Sequence, residues 1–315
     1  MGRNLIDRLR GTAGYVARAQ DHLNAAFGPN TARIEEVLKH GTDALVMRGQ
    51  FQGQEAAFKW FLAERAAETV QRMEQELGFL SDHLGGGPYR VNGVLAALPD
   101  PGLAVLEWAK GERVSLILKS DDAARRAQVL RLCGGWLAEV APLRQELRRL
   151  GPHRLNRQVA DLRFDHMTAP DRALAQDLLR GLQRFAEGFE GVKAVHTIAH
   201  GDFAPVNMVS DGTTVTAVDI QGGTRFPLAR MAARFLVAKD LYSRRDTARR
   251  WGLDADDIAQ FAPETLLPAQ ELTTSFPYFI GQQMLQGVAQ GYVDRGCPDQ
   301  TRQRLIACLT ELGTT

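Results

Sequence analysis

Cysteine is scarce in this chain of 315 residues: only Cys133, Cys297 and Cys308 occur, too few and too scattered for a disulfide framework or a cysteine-based zinc site. An odd, dispersed set suits a reducing compartment, and a cytoplasmic location is the expectation. Long hydrophobic runs are missing too. None approaches the roughly 18 to 20 residues needed to cross a bilayer, so no membrane partner is expected. Neither sign of charge is in excess, with 38 Lys plus Arg against 37 Asp plus Glu, which removes any global field favouring nucleic acid or an anionic surface. The stretch from Asn4 to Leu23 carries Leu5, Ile6, Leu9, Val16, Ala19 and Leu23 at helical spacing, but Gly11, Gly14 and charges break it up. It lacks the unbroken apolar region of a secretory signal and reads as a short helix or helix pair packed on a first lobe.

What is present is the balance of an ordinary globular protein, 44% apolar and 24% charged, in a chain longer than one core usually supports. Three short strands are expected at Arg33 to Lys39, Ala44 to Phe51 and Glu55 to Phe61, separated by turn formers at His40 to Asp43 and Gln52 to Gln54. Ala63 to Leu84 then places Ala66, Val70, Met73, Leu77, Leu80 and Leu84 on one helical face, stopped by Gly85-Gly86-Gly87-Pro88. Two further strands are read at Tyr89 to Ala97 and Leu103 to Trp108. Beyond Gly111 the pattern becomes helical, with Ser120 or Asp121 as the cap of a helix running toward Ala141. The exception is Val195 to Ile220, where Asp211-Gly212 lies between β-branched runs and predicts a hairpin with a two-residue turn.

That hairpin carries the chemistry. It sets position 207 opposite 216 and returns Asp219 beside the loop from Asp202 to Asn207, so that three oxygen-bearing side chains converge. Carboxylate and amide oxygens are hard ligands of the kind Mg²⁺ takes together with substrate phosphates. Asp219 and Asn207 fit that need, and Asp202 fits a base that accepts the proton of an attacking hydroxyl. An upstream cation, Lys59, sits inside the otherwise apolar Ala56 to Phe61. Taken singly, each residue has a plainer explanation: Lys59 as an edge-strand lysine, Asp219 as a strand-end acid, Asn207 as a turn amide. Their joint occurrence in this order reverses those odds.

The run His200-Gly201-Asp202, four residues and Asn207, followed by the hairpin and Val218-Asp219-Ile220, resembles the catalytic core of aminoglycoside phosphotransferases and related choline, homoserine and sugar kinases. The likeness spans residues 33 to 240. It implies an α+β, bilobal protein-kinase-like fold. Residues 1–108 would form a nucleotide-binding lobe with an antiparallel five-stranded sheet plus helix, and residues 109–315 a mostly helical catalytic and substrate-binding lobe with a catalytic β-hairpin. It further implies a phosphotransferase with an alcohol acceptor and ATP or GTP as co-substrate. Lys59 would lie on the α/β-phosphates, held by a helix glutamate, with Glu74 the first choice, then Glu76 and Glu68. Backbone groups from Glu107 to Ala109 would meet the purine, His40 to Asp43 would cover the phosphates, and His200 would brace the loop. Ala204, Gln221 and Met231 depart from residues common in the family.

Other features read more simply. His196 and His200 lie four apart, but in a β-rich stretch without the glutamate of a zincin motif. Gly85 to Gly87 ends a helix rather than opening one, and Met73, Met231 and Met284 read as core. The arginines at 148, 149, 154, 157 and 163 read as a solvated helical face ahead of an anion-attracting patch. The stretch Arg144 to Glu190 is basic, whereas Asp254, Asp256, Asp257, Glu264 and Glu271 form a later acidic cluster. An uncharged or anionic hydroxyl compound therefore ranks above a polycationic antibiotic as acceptor. A catalytically silent nucleotide-binding or scaffold protein is the alternative, and a helical binding protein with an accidental motif the third reading.

Overall fold

The computed structural model describes residues 2–243 and 245–314. In chain order its elements are α1 (Gly2–Phe27), β1 (Ala32–His40), β2 (Ala44–Phe51), β3 (Gln54–Phe61), α2 (Ala66–Leu84), β4 (Tyr89–Val91), β5 (Val94–Leu98), β6 (Leu103–Glu107), β7 (Glu112–Arg113), α3 (Val114–Ile117) and α4 (Ala123–Val140). There follow β8 (Gln145–Arg149), α5 (Pro152–Ala160), α6 (Ala169–Glu187), β9 (Lys193–Thr197), β10 (Met208–Ser210), β11 (Val215–Ala217), β12 (Phe226–Pro227) and α7 (Leu228–Asp240). The last are β13 (Arg249–Arg250), β14 (Leu253–Asp254), α8 (Ala255–Phe261), α9 (Ala269–Thr273), α10 (Ser275–Arg295) and α11 (Asp299–Thr314). The chain forms two compact units. The first takes in the chain up to Gly85, Arg90–Lys110 and Val218–Gly223; the second takes in Gly86–Tyr89, Gly111–Ala217 and Thr224 onward.

The first unit is an antiparallel five-stranded sheet in the order β1-β2-β3-β6-β5. Strict alternation along β2 buries Leu45, Met47 and Phe51, and these join Phe58, Trp60, Leu103 and Val105 in one apolar cluster. Tyr15, Val16, Ala19, Leu23 and Phe27 of α1 pack into it. Helix α1 runs unbroken through Gly11 and Gly14 instead of forming a pair, although each glycine costs a helix about 1 kcal/mol relative to alanine. The side chains of Leu5, Ile6 and Leu9 lie outside the described part. The Tyr89 to Ala97 strand is split at Asn92-Gly93, and only Val94–Leu98 joins the five-stranded sheet. Helix α2 packs on β3, β5 and β6.

The second unit is mainly helical. Helix α10 is buried almost all round and packs against α6, α7, α9 and α11. More strand is present than the helical pattern implied. Gln145–Arg149, with Arg148 and Arg149, is a strand antiparallel to β9, which also pairs with β12. Helix α4 is capped by Asp122, whose carboxylate accepts from Arg125 N at 2.9 Å, and not by Ser120 or Asp121.

The hairpin is present with a different turn. Pairing is Met208 with Ala217, Val209 with Thr216 and Ser210 with Val215, so Asp211 to Thr214 make a four-residue loop. The Asp211 carboxylate is the cause. Its Oδ1 accepts from the N–H groups of Thr213 and Thr214, both at 2.8 Å, and Oδ2 accepts from the Thr214 hydroxyl at 2.9 Å. Those backbone donors hold the acid well below the ordinary carboxylate range. Position 216 therefore faces Val209 rather than Asn207, a slip of two residues that keeps every side chain on its expected face.

Candidate functional site

In the first unit, period-2 alternation puts Lys59 on the sheet face opposite Phe58 and Trp60, paired across the strands with Val46 and Ala104. The side chain is only 7% exposed, and its ammonium lies 4.7 Å from the centroid of the Phe61 ring. An ammonium so withdrawn from water needs a counter-charge, and the Asp219 carboxylate supplies it through a direct ion pair.

Asp219 stands in the left-handed region at φ 66°, a conformation Asp tolerates better than most residues. The Gln221 amide also donates to its Oδ1 at 3.3 Å. The segment is seated on α2. A Cβ on Gly222, where φ is 69°, would come within 3.0 Å of the Glu76 side chain. Arg72, one helical turn earlier, lies equally close beneath Gly223. Positions i and i+4 share a face, so Glu76 is the buried glutamate on this side of α2. Glu74, the first choice from sequence, is exposed: two residues earlier is roughly 200° around the helix.

On β6 the Glu107 N–H donates to Gly93 O at 2.8 Å, and the Glu107 carboxylate accepts from Gly93 N at 3.2 Å. The Ala109 N–H makes no hydrogen bond among the described residues. The turn His40 to Asp43 is closed by Gly41 N donating to Ala44 O at 3.0 Å.

In the second unit, the loop after β9 is built around Asp202. Its N–H donates back to His200 O at 2.9 Å across Gly201, whose φ of 76° gives a tight γ-turn that a side chain would strain. The Asn207 amide nitrogen donates to Asp202 O at 2.9 Å and to Asp202 Oδ2 at 3.2 Å. That assignment turns the Asn207 amide oxygen away from the acid. Asp202 Oδ1 accepts from Arg234 Nε at 3.1 Å and Nη2 at 3.0 Å. The carboxylate is 59% exposed, so reagents can reach it.

Beneath the loop runs a column of stacked rings. Trp136 to Phe203 is 5.7 Å, Phe203 to Phe235 is 5.0 Å and Phe235 to Phe261 is 5.2 Å between centroids, joining α4, the loop, α7 and α8. His200 is buried edge-on against Trp136 and Phe203, which suits a brace. No group of three or more His, Cys, Asp or Glu that could hold a metal by itself exists among the described residues. Met73, Met231 and Met284 are buried.

The later acidic cluster is largely consumed by the fold. Asp257 is buried in ion pairs with Lys239 and Arg245, Asp254 caps α8, and Glu271 accepts from Val195 N at 2.7 Å and from the Ser275 hydroxyl at 2.8 Å. Sequence reading missed Arg230 and Arg234 on α7 and Gln283, Gln286 and Gln290 on α10, which line a cavity with Asp202. Their signal was available: two arginines four apart in a mostly apolar helix, and glutamines three and four apart in another.

No family model and no curated protein matches this sequence. Solved structures do. The GDP complex of an aminoglycoside 2'-phosphotransferase-IIIa mutant aligns at TM-score 0.62 and 12% identity over 95% of this chain and 98% of its own. A thermostable mutant of aminoglycoside phosphotransferase APH(4)-Ia, in ternary complex with AMP-PNP and hygromycin B, aligns at 0.58 and 15% over 94% and 99%. Choline kinase LicA from Streptococcus pneumoniae aligns at 0.53 and 10% over 95% and 99%. At such identities the likeness shows a shared fold.

Proposed function

We propose that this chain, which has the protein-kinase-like fold of aminoglycoside phosphotransferases and choline kinases, is a Mg²⁺-dependent small-molecule kinase. It moves the γ-phosphoryl group of ATP or GTP onto an acceptor hydroxyl. The observation that carries this reading is the Asn207 clamp on Asp202, which holds an exposed carboxylate in one orientation five residues from the amide that fixes it. Positioning and charge neutralisation supply most of the rate in phosphoryl transfer.

Asp202 accepts the hydrogen bond of the acceptor hydroxyl. As the hydroxyl oxygen bonds to the γ-phosphorus and the bond to the bridging oxygen breaks, the proton passes to Asp202 and the nucleoside diphosphate leaves. Lys59 neutralises the α- and β-phosphates, and Glu76, in place of Glu74, supports the segment that presents Asp219. The N–H of Ala109 meets the purine edge, since that of Glu107 is already taken by Gly93. Asp219 and the Asn207 amide oxygen are the hard donors that would hold Mg²⁺, which when bound neutralises the phosphate oxygens. In this assignment residues 1–108 are the nucleotide-binding lobe and residues 109–315 the catalytic and acceptor-binding lobe.

The test is a screen of hydroxyl compounds for Mg²⁺- and nucleotide-dependent phosphate transfer, with Asp202→Asn as control. That substitution should lower kcat by about 10²- to 10⁴-fold while nucleotide affinity stays within about threefold. Unchanged turnover would remove Asp202 from its role. Nucleotide binding without transfer to any acceptor would instead support the silent scaffold.

A further inference from the structure

A cavity of about 260 Å³ opens against the Asp202 loop within the second unit, below the ~300–1,000 Å³ of drug-sized ligand sites. Its polar wall is formed by Asp202, Arg230, Arg234, Gln283, Gln286 and Gln290. Asp202 is the one carboxylate in that wall, and it is already engaged by Arg234. Arg230 has no carboxylate partner among the described residues. It rests on the Phe226 ring at 4.7 Å, half-buried, one helical turn from Arg234. Burial, then the like charge of Arg234, lower its pKa, with Asp202 opposing. A half-desolvated guanidinium beside a second cation is a charge arrangement that lacks its counter-ion.

The surroundings point the same way. A second cavity of about 100 Å³ shares Phe226 and Arg230 with the first and adds Arg149, Arg154, Arg225 and His196, with no acid in its wall. Two of the arginines read from sequence as a solvated helical face thus lie here, one on β8 and one on α5. Arg225 is spent on Glu146 and the Arg144 carbonyl, but no ion pair engages Arg149 or Arg154 among the described residues. Of the later acids that would suit a polycationic amino sugar, Asp254, Asp257 and Glu271 are buried in the fold, and the exposed Asp256 and Glu264 line neither cavity. The glutamines contribute hydrogen-bonding capacity without charge, Gln283 donating to Gln286 at 3.0 Å.

We propose that the phosphoryl acceptor is a small anionic hydroxyl compound, whose carboxylate or phosphate group is received by Arg230 while its hydroxyl is presented to Asp202. The assignment rests on the kinase reading for the hydroxyl but not for the anion. Guanidinium is suited to either oxyanion, since its fixed fork matches both.

Anion binding is measured first, on the nucleotide-free protein, by calorimetric titration of inorganic phosphate and, separately, of glycerate. Saturable binding is expected for at least one, weakened about 10- to 100-fold in Arg230→Gln, the range expected for losing a charge-assisted contact. Gln290→Glu, an exposed position, should weaken it several-fold with an unchanged thermal melt, which guards against misfolding of the first variant. In the transfer assay, hydroxy acids or sugar phosphates should be favoured over neutral polyols and amino sugars. Arg230→Gln should raise their KM by about 10- to 100-fold with kcat changed less than about threefold. The lower KM of the carboxylate or phosphate series identifies the anion. Absence of binding by both anions, or preferred turnover of neutral or cationic acceptors, overturns the proposal. Arg230-dependent anion binding with no phosphate transfer would confirm the anion site and sink the kinase reading instead.

Discussion

Lys59 and Asp202 each sit in an ion pair, yet the two pairs are of opposite kind. The Lys59 side chain is 7% exposed and its partner Asp219 39%, whereas Asp202 is 59% exposed and Arg234 44%. One charge is built into a sheet and the other projects into solvent from a loop. For Lys59, rigidity comes from neighbouring strands, and the buried ammonium depends on a counter-charge. For Asp202, rigidity comes from Asn207 and from Phe203 in the ring column, and the Arg234 pair is a screened contact worth roughly 0–1 kcal/mol. On the proposed function, Lys59 stays charged and tolerates burial beside a fixed partner, whereas Asp202 would exchange a proton with a diffusing molecule and so has to be reachable.

That contrast can be broken by substitution. The largest effect is expected at the buried end: Lys59→Met should lower kcat/KM by about 10²- to 10³-fold, the usual consequence of removing one electrostatic contact to the transferring group. Steady-state kinetics with saturating acceptor measures it, and a loss below about fivefold would detach Lys59 from the nucleotide. Next, Glu76→Gln should reduce kcat/KM by about tenfold and Glu74→Gln by less than about twofold. The two lie on opposite faces of α2, and only Glu76 touches the segment carrying Asp219. Equal effects would erase the distinction.

The smallest effects concern stability alone. Asp171 is buried in the second unit and accepts from Arg302, Tyr292 and Thr168. The Arg302 hydrogen bond, ahead of those from Tyr292 and Thr168, holds its pKa down from 3.8 to about 2 against the effect of burial. A carboxyl whose folded pKa is depressed stabilises the fold above its unfolded pKa and loses that contribution as pH falls through the folded one. Asp171→Asn should therefore cost roughly 2 kcal/mol at pH 7, a difference shrinking between about pH 4 and pH 2. Thermal melts across that range would show it. The exposed counterpart, Arg234→Ala, should shift stability by less than about 1 kcal/mol.

Legibility followed the range over which each feature is decided. Strands β1, β2 and β3 match their sequence reading to within about a residue at each end, because period-2 burial is written into consecutive side chains. The spacing from Asp202 to Asn207 was equally plain, since a five-residue loop places them through its own backbone. The hairpin register was not, because the Asp211 side chain recruited the backbone of Thr213 and Thr214 against the two-residue turn that Asp-Gly favours. Strand β8 escaped because five residues of largely polar sequence carry no pattern of their own, and its pairing with β9 comes from 44 to 52 residues away.

Local order was thus enough to place the lysine strand, the glutamate helix and the acid-amide loop, and the fold class followed from the resemblance those motifs carry. Folding alone decided which glutamate of α2 turned inward, where the later acids were spent, and that two arginines of α7 would meet three glutamines of α10 beside Asp202. Backbone periodicity is a property of neighbours in sequence. The facing of a charged side chain depends on which distant surface desolvates it, and that becomes defined only when the helices pack.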